Sequence, residues 1–184
     1  MKNILISLRM LLIFTVVSGL AYPLAVMGAA KALWPAQAEG TLIQRGGKAV
    51  GSRLLAQETK SDKYFWARPS AAAYNASSSS GSNLGPTSAA LKKAVEERRA
   101  ALIKAHGPGE VPEDLLYASA SGLDPHISPA AARYQVARVA AGRKMDASRL
   151  LALVESRVEG PQFGLFGEPR VNVLDLNLAL DAEP

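Results

Sequence analysis

The residues able to do chemistry are few. Only two histidines occur, His106 and His126, and cysteine is absent. His126 stands two residues after Asp124, with Ser119, Ser121 and Ser128 close by. Serine, histidine and carboxylate are the parts of a nucleophilic hydrolase when they form one hydrogen-bonded chain facing an oxyanion hole. Inside Asp124-Pro125-His126 that orientation is awkward, and no G-x-S-x-G elbow is present. The competing reading is a structural turn in which Asp124 holds backbone amides. His106 closes a helical pattern, where a cation suits the helix dipole. Without cysteine there is no thiolate chemistry, no disulfide and no Cys-ligated zinc. Neither G-x-x-x-x-G-K-S/T nor H-E-x-x-H occurs, which excludes a P-loop and the zincin arrangement. The residues assign no catalytic group, no metal ligand and no cofactor-binding position.

The elements around this sparse chemistry begin with a stretch built for lipid. Met10 to Ala30 is 21 residues without a charge, bounded by Arg9 and Lys31. As a helix it is roughly 30 Å long, the thickness of a bilayer's hydrocarbon core. Lys2, Arg9 and the amino terminus precede it with no acidic residue. The positive-inside bias therefore predicts a short cytoplasmic segment (1–9), a membrane helix (10–30) and an extracytoplasmic domain (31–184). A cleaved signal peptide ending at Ala36-Gln37-Ala38 is the alternative. The apolar run is longer than such peptides use, and that site lies past Lys31 and Trp34. Along the helix, Ser18, Ala21, Ala25, Gly28, Ala29 and Ala32 fall within about 100° at 100° per residue, a seam that admits close approach by another helix. Alanine is frequent throughout, so chance alignment competes with a docking face.

About 150 residues remain after the anchor, enough for one domain with a modest core. The net charge is +5, but Lys92-Lys93 and Arg98-Arg99 flank Glu96-Glu97, a solvated mixed face and not a phosphate-binding stripe. Nucleic acid is not an expected partner. Thr41–Gln44 and Ala49–Ser52 around Gly46-Gly47 predict a β-hairpin. The aromatic cluster Tyr64-Phe65-Trp66 reads either as core or as a partner-facing patch. Ser70 to Thr87 reads as a long flexible loop. A helix is expected over 88–105 with Thr87 as its N-cap, Leu91, Val95 and Leu102 inward with Ala94, Ala101 and Ala105 beside them, and Gly107 as the stop. Ser128 and Pro129 start a second helix that ends at Gly142. Asp146 caps a third over 147–158, with Met145 and Leu150 as its hydrophobic staple. Phe163, Leu165 and Phe166 among Gly164 and Gly167 form a tight apolar turn. Val171-Asn172-Val173 alternates as a strand, and residues 174–181 read equally as strand or helix. The expected class is α+β.

Several motifs carry a family resemblance. They are Gly19-Leu20-Ala21-Tyr22-Pro23-Leu24, Arg68-Pro69-Ser70-Ala71 with Tyr74-Asn75, and Gly81-Ser82-Asn83-Leu84-Gly85-Pro86-Thr87. Ser121-Gly122-Leu123-Asp124-Pro125-His126-Ile127-Ser128-Pro129 and Gly167-Glu168-Pro169-Arg170-Val171-Asn172-Val173-Leu174 complete the set, with Asn177-Leu178-Ala179-Leu180-Asp181. In order and spacing they resemble the C subunit of the Kdp potassium-transporting P-type ATPase over nearly the whole chain. Tyr117, Ala120, Ala56 and Ser88-Ala89 depart from its usual residues. The resemblance implies a non-catalytic accessory subunit in a bacterial inner membrane. Its implied partners are a channel-like subunit that binds potassium, a P-type ATPase subunit that hydrolyses ATP, and a small membrane peptide. The implied role is a catalytic chaperone that raises the ATP affinity of the ATPase subunit. ATP is then held by that partner, and potassium is the cargo of the complex. On this reading Tyr74, Asn75, Ser82, Asn83, Asp124 and His126 become expected partner contacts. The alternative function is an anchored extracytoplasmic hydrolase using His126 and Asp124.

Overall fold

A computed structural model describes residues 2–183. The chain divides into two compact units, residues 1–49 and 50–184. The first is dominated by one apolar run. Helix α1 spans Lys2–Val16, a π-helical turn follows at Val17–Ala21, and α2 continues over Tyr22–Leu33. Together they make a helix of 32 residues whose most apolar 18-residue stretch has mean hydropathy 2.2, none of it buried within the protein. That exceeds the 21 uncharged residues, because the flanking Lys2 and Arg9 keep helical backbone. The π turn lies just before Pro23, where the Tyr22 amide donates to the Val17 carbonyl. Proline has no N–H, and its ring clashes with the carbonyl four residues earlier; widening the turn before it relieves that contact. Trp34 ends the helix with φ −140° and ψ 66°, and the short α3 follows at Pro35–Ala38. Strands β1 (Leu42–Arg45) and β2 (Lys48–Ser52) form the expected hairpin, with Gly46 and Gly47 both at positive φ.

The second unit is a mixed domain. Helix α4 spans Ala89–His106. Its N-cap is Ser88, whose hydroxyl accepts from the Leu91 amide, so the expected cap moves by one residue from Thr87. Leu102 is buried, Leu91 and Val95 are half-buried, and Ala101 is exposed. A short α5 covers Glu113–Leu116, and β3 is the dipeptide His126–Ile127. Ser128 and Pro129 start α6 (Pro129–Arg143), which ends with Lys144 in the left-handed conformation. Asp146 caps α7 (Ala147–Ser156) by accepting from the Ser148 and Arg149 amides. That helix ends two residues earlier than Val158. Strand β4 (Val171–Asn172) pairs antiparallel with β3, His126 opposite Asn172 and Ile127 opposite Val171. The ambiguity after it resolves to helix α8 over Val173–Ala182, because the Asn172 side chain accepts the Asp175 amide and caps a new turn.

The core lies among α6, α7, α8 and the β3–β4 pair. Ala131, Val139, Leu150, Val154, Val171, Leu176 and Leu180 are all fully buried there. Phe65 is also fully buried, which decides the aromatic cluster in favour of packing. Arg133 clamps Glu155 through two bonds of 2.6 and 2.9 Å, tying α6 to α7 across their exposed edge.

Candidate functional site

Phe65 and Trp66 belong to no strand, yet their backbone groups are paired. The Phe65 amide donates to Asn177 Oδ1 at 2.8 Å, and Asn177 Nδ2 donates back to the Phe65 carbonyl at 3.0 Å. The Trp66 amide donates to Gln135 Oε1 at 2.7 Å, and Gln135 Nε2 donates to the Trp66 carbonyl at 3.1 Å. Each carboxamide thus imitates the double exchange of an antiparallel strand pair. One comes from α8 and the other from α6, and together they fix the segment that leads to Arg68.

Arg138 fills the space beyond. It is buried; its Nη2 donates to the Tyr64 carbonyl and to Gln135 Oε1, and its guanidinium lies 4.2 Å from the Trp66 ring centre. Burial pulls it down to about 10, partly offset by Asp62. Its Nε–H donates to His106 Nε2 at 2.9 Å, so His106 must be neutral, with its Nδ1–H donating to the Leu102 carbonyl. Burial lowers the histidine's pKa, the Leu102 bond opposes, and the Arg138 charge lowers it again. A helix-terminal cation is therefore the wrong description of His106: the neighbouring guanidinium excludes a second positive charge. Its ring stacks on Tyr134 and stands edge-on to Trp66.

The two loops singled out in the sequence meet. The Ser80 amide donates to the Ser121 carbonyl at 3.0 Å, the Ser79 hydroxyl donates to the same carbonyl at 3.0 Å, and the Ser70 hydroxyl donates to the Gly122 carbonyl at 2.6 Å. Glycine is needed at the crossing. A Cβ on Gly122, whose φ is +68°, would stand 2.7 Å from the Ser80 carbonyl oxygen, and one on Gly81 would stand 2.9 Å from that of Ala120. The stretch expected to be a flexible loop is thus stitched down over residues 70–81. Composition hides this, since the stitches are backbone carbonyls and small hydroxyls.

Tyr74 has a positive φ and donates its hydroxyl to the Arg68 carbonyl at 2.9 Å, and burial, aided by Glu58, raises its pKa. It lines a cleft of about 280 Å³ with Trp66, Pro69, Arg98, Leu102 and Leu115. Asn75 accepts from the Ser77 amide and hydroxyl; Ser82 and Asn83 are exposed. Asp124 accepts the His126 amide through Oδ1 at 3.0 Å and Arg68 Nη1 through Oδ2 at 3.0 Å. Burial alone would raise its pKa, but the His126 bonds and the Arg68 guanidinium hold it below the usual carboxylate value. His126 Nδ1 is 3.5 Å from Asp124 Oδ1. The serines are otherwise committed. Ser128 Oγ donates to Asp114 and caps α6, Ser121 Oγ accepts the Leu123 amide, and Ser119 is buried. The group is a turn with an ion pair. The structure brings Tyr74, Asn75, Asp124 and His126 into the surroundings of one stitched loop pair.

In the first unit, Ala25, Gly28, Ala29 and Ala32 keep α-helical spacing along α2, whereas Ser18 and Ala21 sit inside the π turn, where the 100° step does not hold. Gly28 has nothing from this chain within 4 Å of where a Cβ would stand, so the seam is open.

The sequence profile of the family described as "K+-transporting ATPase, c chain" matches residues 4–182. The chain belongs to that family. A Variovorax paradoxus protein named potassium-transporting ATPase KdpC subunit is 56% identical over 182 residues, spanning 96% of this chain and 94% of its own. Proteins of the same name from Dechloromonas aromatica and Methylococcus capsulatus are 54% and 53% identical, each over 96% of this chain and 95% of theirs. The positions at which the motifs depart from the resemblance have mixed surroundings. Tyr117 and Ala120 are exposed, Ser88 caps α4, and Ala56 is buried with its amide donating to the Leu123 carbonyl. Residues that carry the architecture were not legible as such: Gln135, Arg138 and Asn177 are polar residues at inward helical positions, and that is the one signal they leave.

Proposed function

We propose that this chain is a non-catalytic accessory subunit of an ATP-driven potassium-uptake complex, held in a bacterial inner membrane by residues 10–30. Its N-terminus (1–9) is cytoplasmic and its domain (31–184) faces the periplasm. Its partners are a potassium-binding channel-like subunit, a P-type ATPase subunit and a small membrane peptide. The observation that carries this reading is the profile match, which runs unbroken through anchor and domain over residues 4–182. The Ser18–Ala32 seam docks against a partner helix. The stitched loops, with Tyr74, Asn75, Ser82, Asn83, Asp124 and His126, meet a partner's outer face.

In this role the chain assembles the complex and raises the ATP affinity of the catalytic subunit. Cytoplasmic nucleotide lies across the membrane from the domain, so the effect must pass through the anchor. Deleting residues 40–184 while keeping the anchor tests the assignment. Potassium uptake and recovery of the larger subunits after mild-detergent purification should both fall. Unchanged uptake with full recovery would overturn it. The ATP concentration for half-maximal hydrolysis should also rise when the chain is omitted from the complex; an unaltered value refutes the chaperone role.

A further inference from the structure

The second unit carries a hairpin tip that nothing above employs. Glu159 and Arg170 pair through both backbone amides, at 2.8 and 3.0 Å, and their side chains meet at 3.1 Å. Beyond this base the chain runs out through Pro161 and turns at Phe163-Gly164 before returning. The Gln162 amide donates to the Phe166 carbonyl at 2.8 Å, and the Gln162 carbonyl accepts from Leu165 and Phe166. The Gly164 amide donates to the Pro161 carbonyl. Positive φ at Phe163, Gly164 and Gly167 folds the tip back on itself. Phe163 is 95% exposed, Leu165 76% and Phe166 64%, higher than the other large apolar residues of the second unit. Three such side chains on one turn are far from the scattered single exposures that any surface shows.

We infer that this tip dips into the outer leaflet of the bilayer in which the chain is anchored. Four observations favour lipid as the occupant. First, the anchor tethers the domain of 135 residues to the bilayer by a covalent connection. The encounter is therefore intramolecular, and a shallow insertion suffices. Second, backbone groups entering an apolar phase need internal partners, and this turn closes four backbone bonds within residues 161–166. Third, the charges at the base, Arg157, Glu159, Glu168 and Arg170, sum to zero, which matches zwitterionic headgroups. Fourth, Phe163 lies four residues beyond Glu159, a reach of at most about 13 Å. An apolar tip can then lie below the headgroups while the Glu159–Arg170 pair stays among them. The side chains project from a convex turn, a shape that a fluid leaflet accepts without a matching pocket.

This inference rests on the membrane-anchor reading and not on assembly with partners, so it is tested on the full chain alone. The sequence contains no cysteine, so Phe163→Cys gives a unique site for a nitroxide label. The labelled chain is placed in nanodiscs of phosphatidylethanolamine and phosphatidylcholine. Collision rates with dissolved oxygen and with a water-soluble nickel chelate are read by electron paramagnetic resonance. The label at 163 should favour oxygen over nickel at least fivefold more than a label at Glu97→Cys, an exposed position on α4. Equal ratios at the two sites overturn the inference. So does shielding of the label from both reagents, which would mean a protein groove. If Phe163→Cys does not fold, as judged by Trp66 emission, Leu165→Cys carries the same label and the same outcomes decide.

Discussion

Replacing Asn177 by leucine would expose how this domain holds a strand without a sheet. The substitution keeps volume and apolar contact in α8 but removes both partners of Phe65. Its amide and carbonyl, bonded at 2.8 and 3.0 Å, are then left unpaired in a buried place. Each orphaned group costs about 1–3 kcal/mol, so the variant should lose ~2–6 kcal/mol. Domains of this size are stable by about 5–15 kcal/mol, so the loss is a large share of the whole. Asn177→Asp keeps an acceptor for the Phe65 amide but sets a carboxylate oxygen against the Phe65 carbonyl, and it should fall by a similar amount at neutral pH. The assay is urea unfolding of the full chain in detergent, followed by Trp66 emission in a Trp34→Phe background. Trp66 sits beside the clamp and reports on it directly. A loss below ~1 kcal/mol for Asn177→Leu would refute the claim that the carboxamide replaces a strand.

Other outcomes follow from the same geometry. Gly122→Ala puts a Cβ 2.7 Å from the Ser80 carbonyl at positive φ, and should cost at least ~1–2 kcal/mol and speed proteolysis within residues 70–85. His106 is held neutral beside Arg138, so its folded pKa lies below the unfolded value of about 6.5. The unfolded state then takes up a proton that the folded state refuses. Stability is full above about 6.5 and falls as pH drops toward the folded pKa, by at most ~1.4 kcal/mol per pH unit. Urea midpoints between pH 7 and 5 should show this slope, and His106→Gln should flatten it. A Cβ at Gly28 has no neighbour from another part of the chain within 4 Å, so isolated Gly28→Leu should keep its helical circular dichroism while recovery with the larger subunits falls several-fold. Full recovery would make the helix a tether only.

The parts legible in the sequence are those written in local chemistry. Ser128-Pro129 and Asp146 announce two helix starts, Gly46-Gly47 a hairpin, and Met10–Ala30 a membrane helix, because caps, turns and hydropathy act over a few residues. The Thr87 cap misses by one residue because Ser88 offers the same hydroxyl one step closer to the apolar pattern. Residues 174–181 are ambiguous by periodicity, and the decision falls to Asn172, a single cap. The candidate site is legible as two glycine- and serine-rich stretches. Their meeting is not, because Ser79, Ser80 and Ser121 join through backbone carbonyls some 40 residues apart. Gln135, Asn177 and Arg138 escape for a related reason: their partners are the backbone of residues 61–66, distant in sequence and without a pattern of its own.

The π turn in the anchor has a consequence of its own. Val17–Ala21 takes one more residue to close than an α-helical turn, so it works as a gear between α1 and α2. Removing a single residue there would barely shorten a 32-residue helix, yet it would turn all of Lys2–Val16 by roughly 100° relative to the small-residue face of α2. The side chains that the first half of the helix shows to its surroundings, and those that the second half shows, are thus set separately by one residue and a proline.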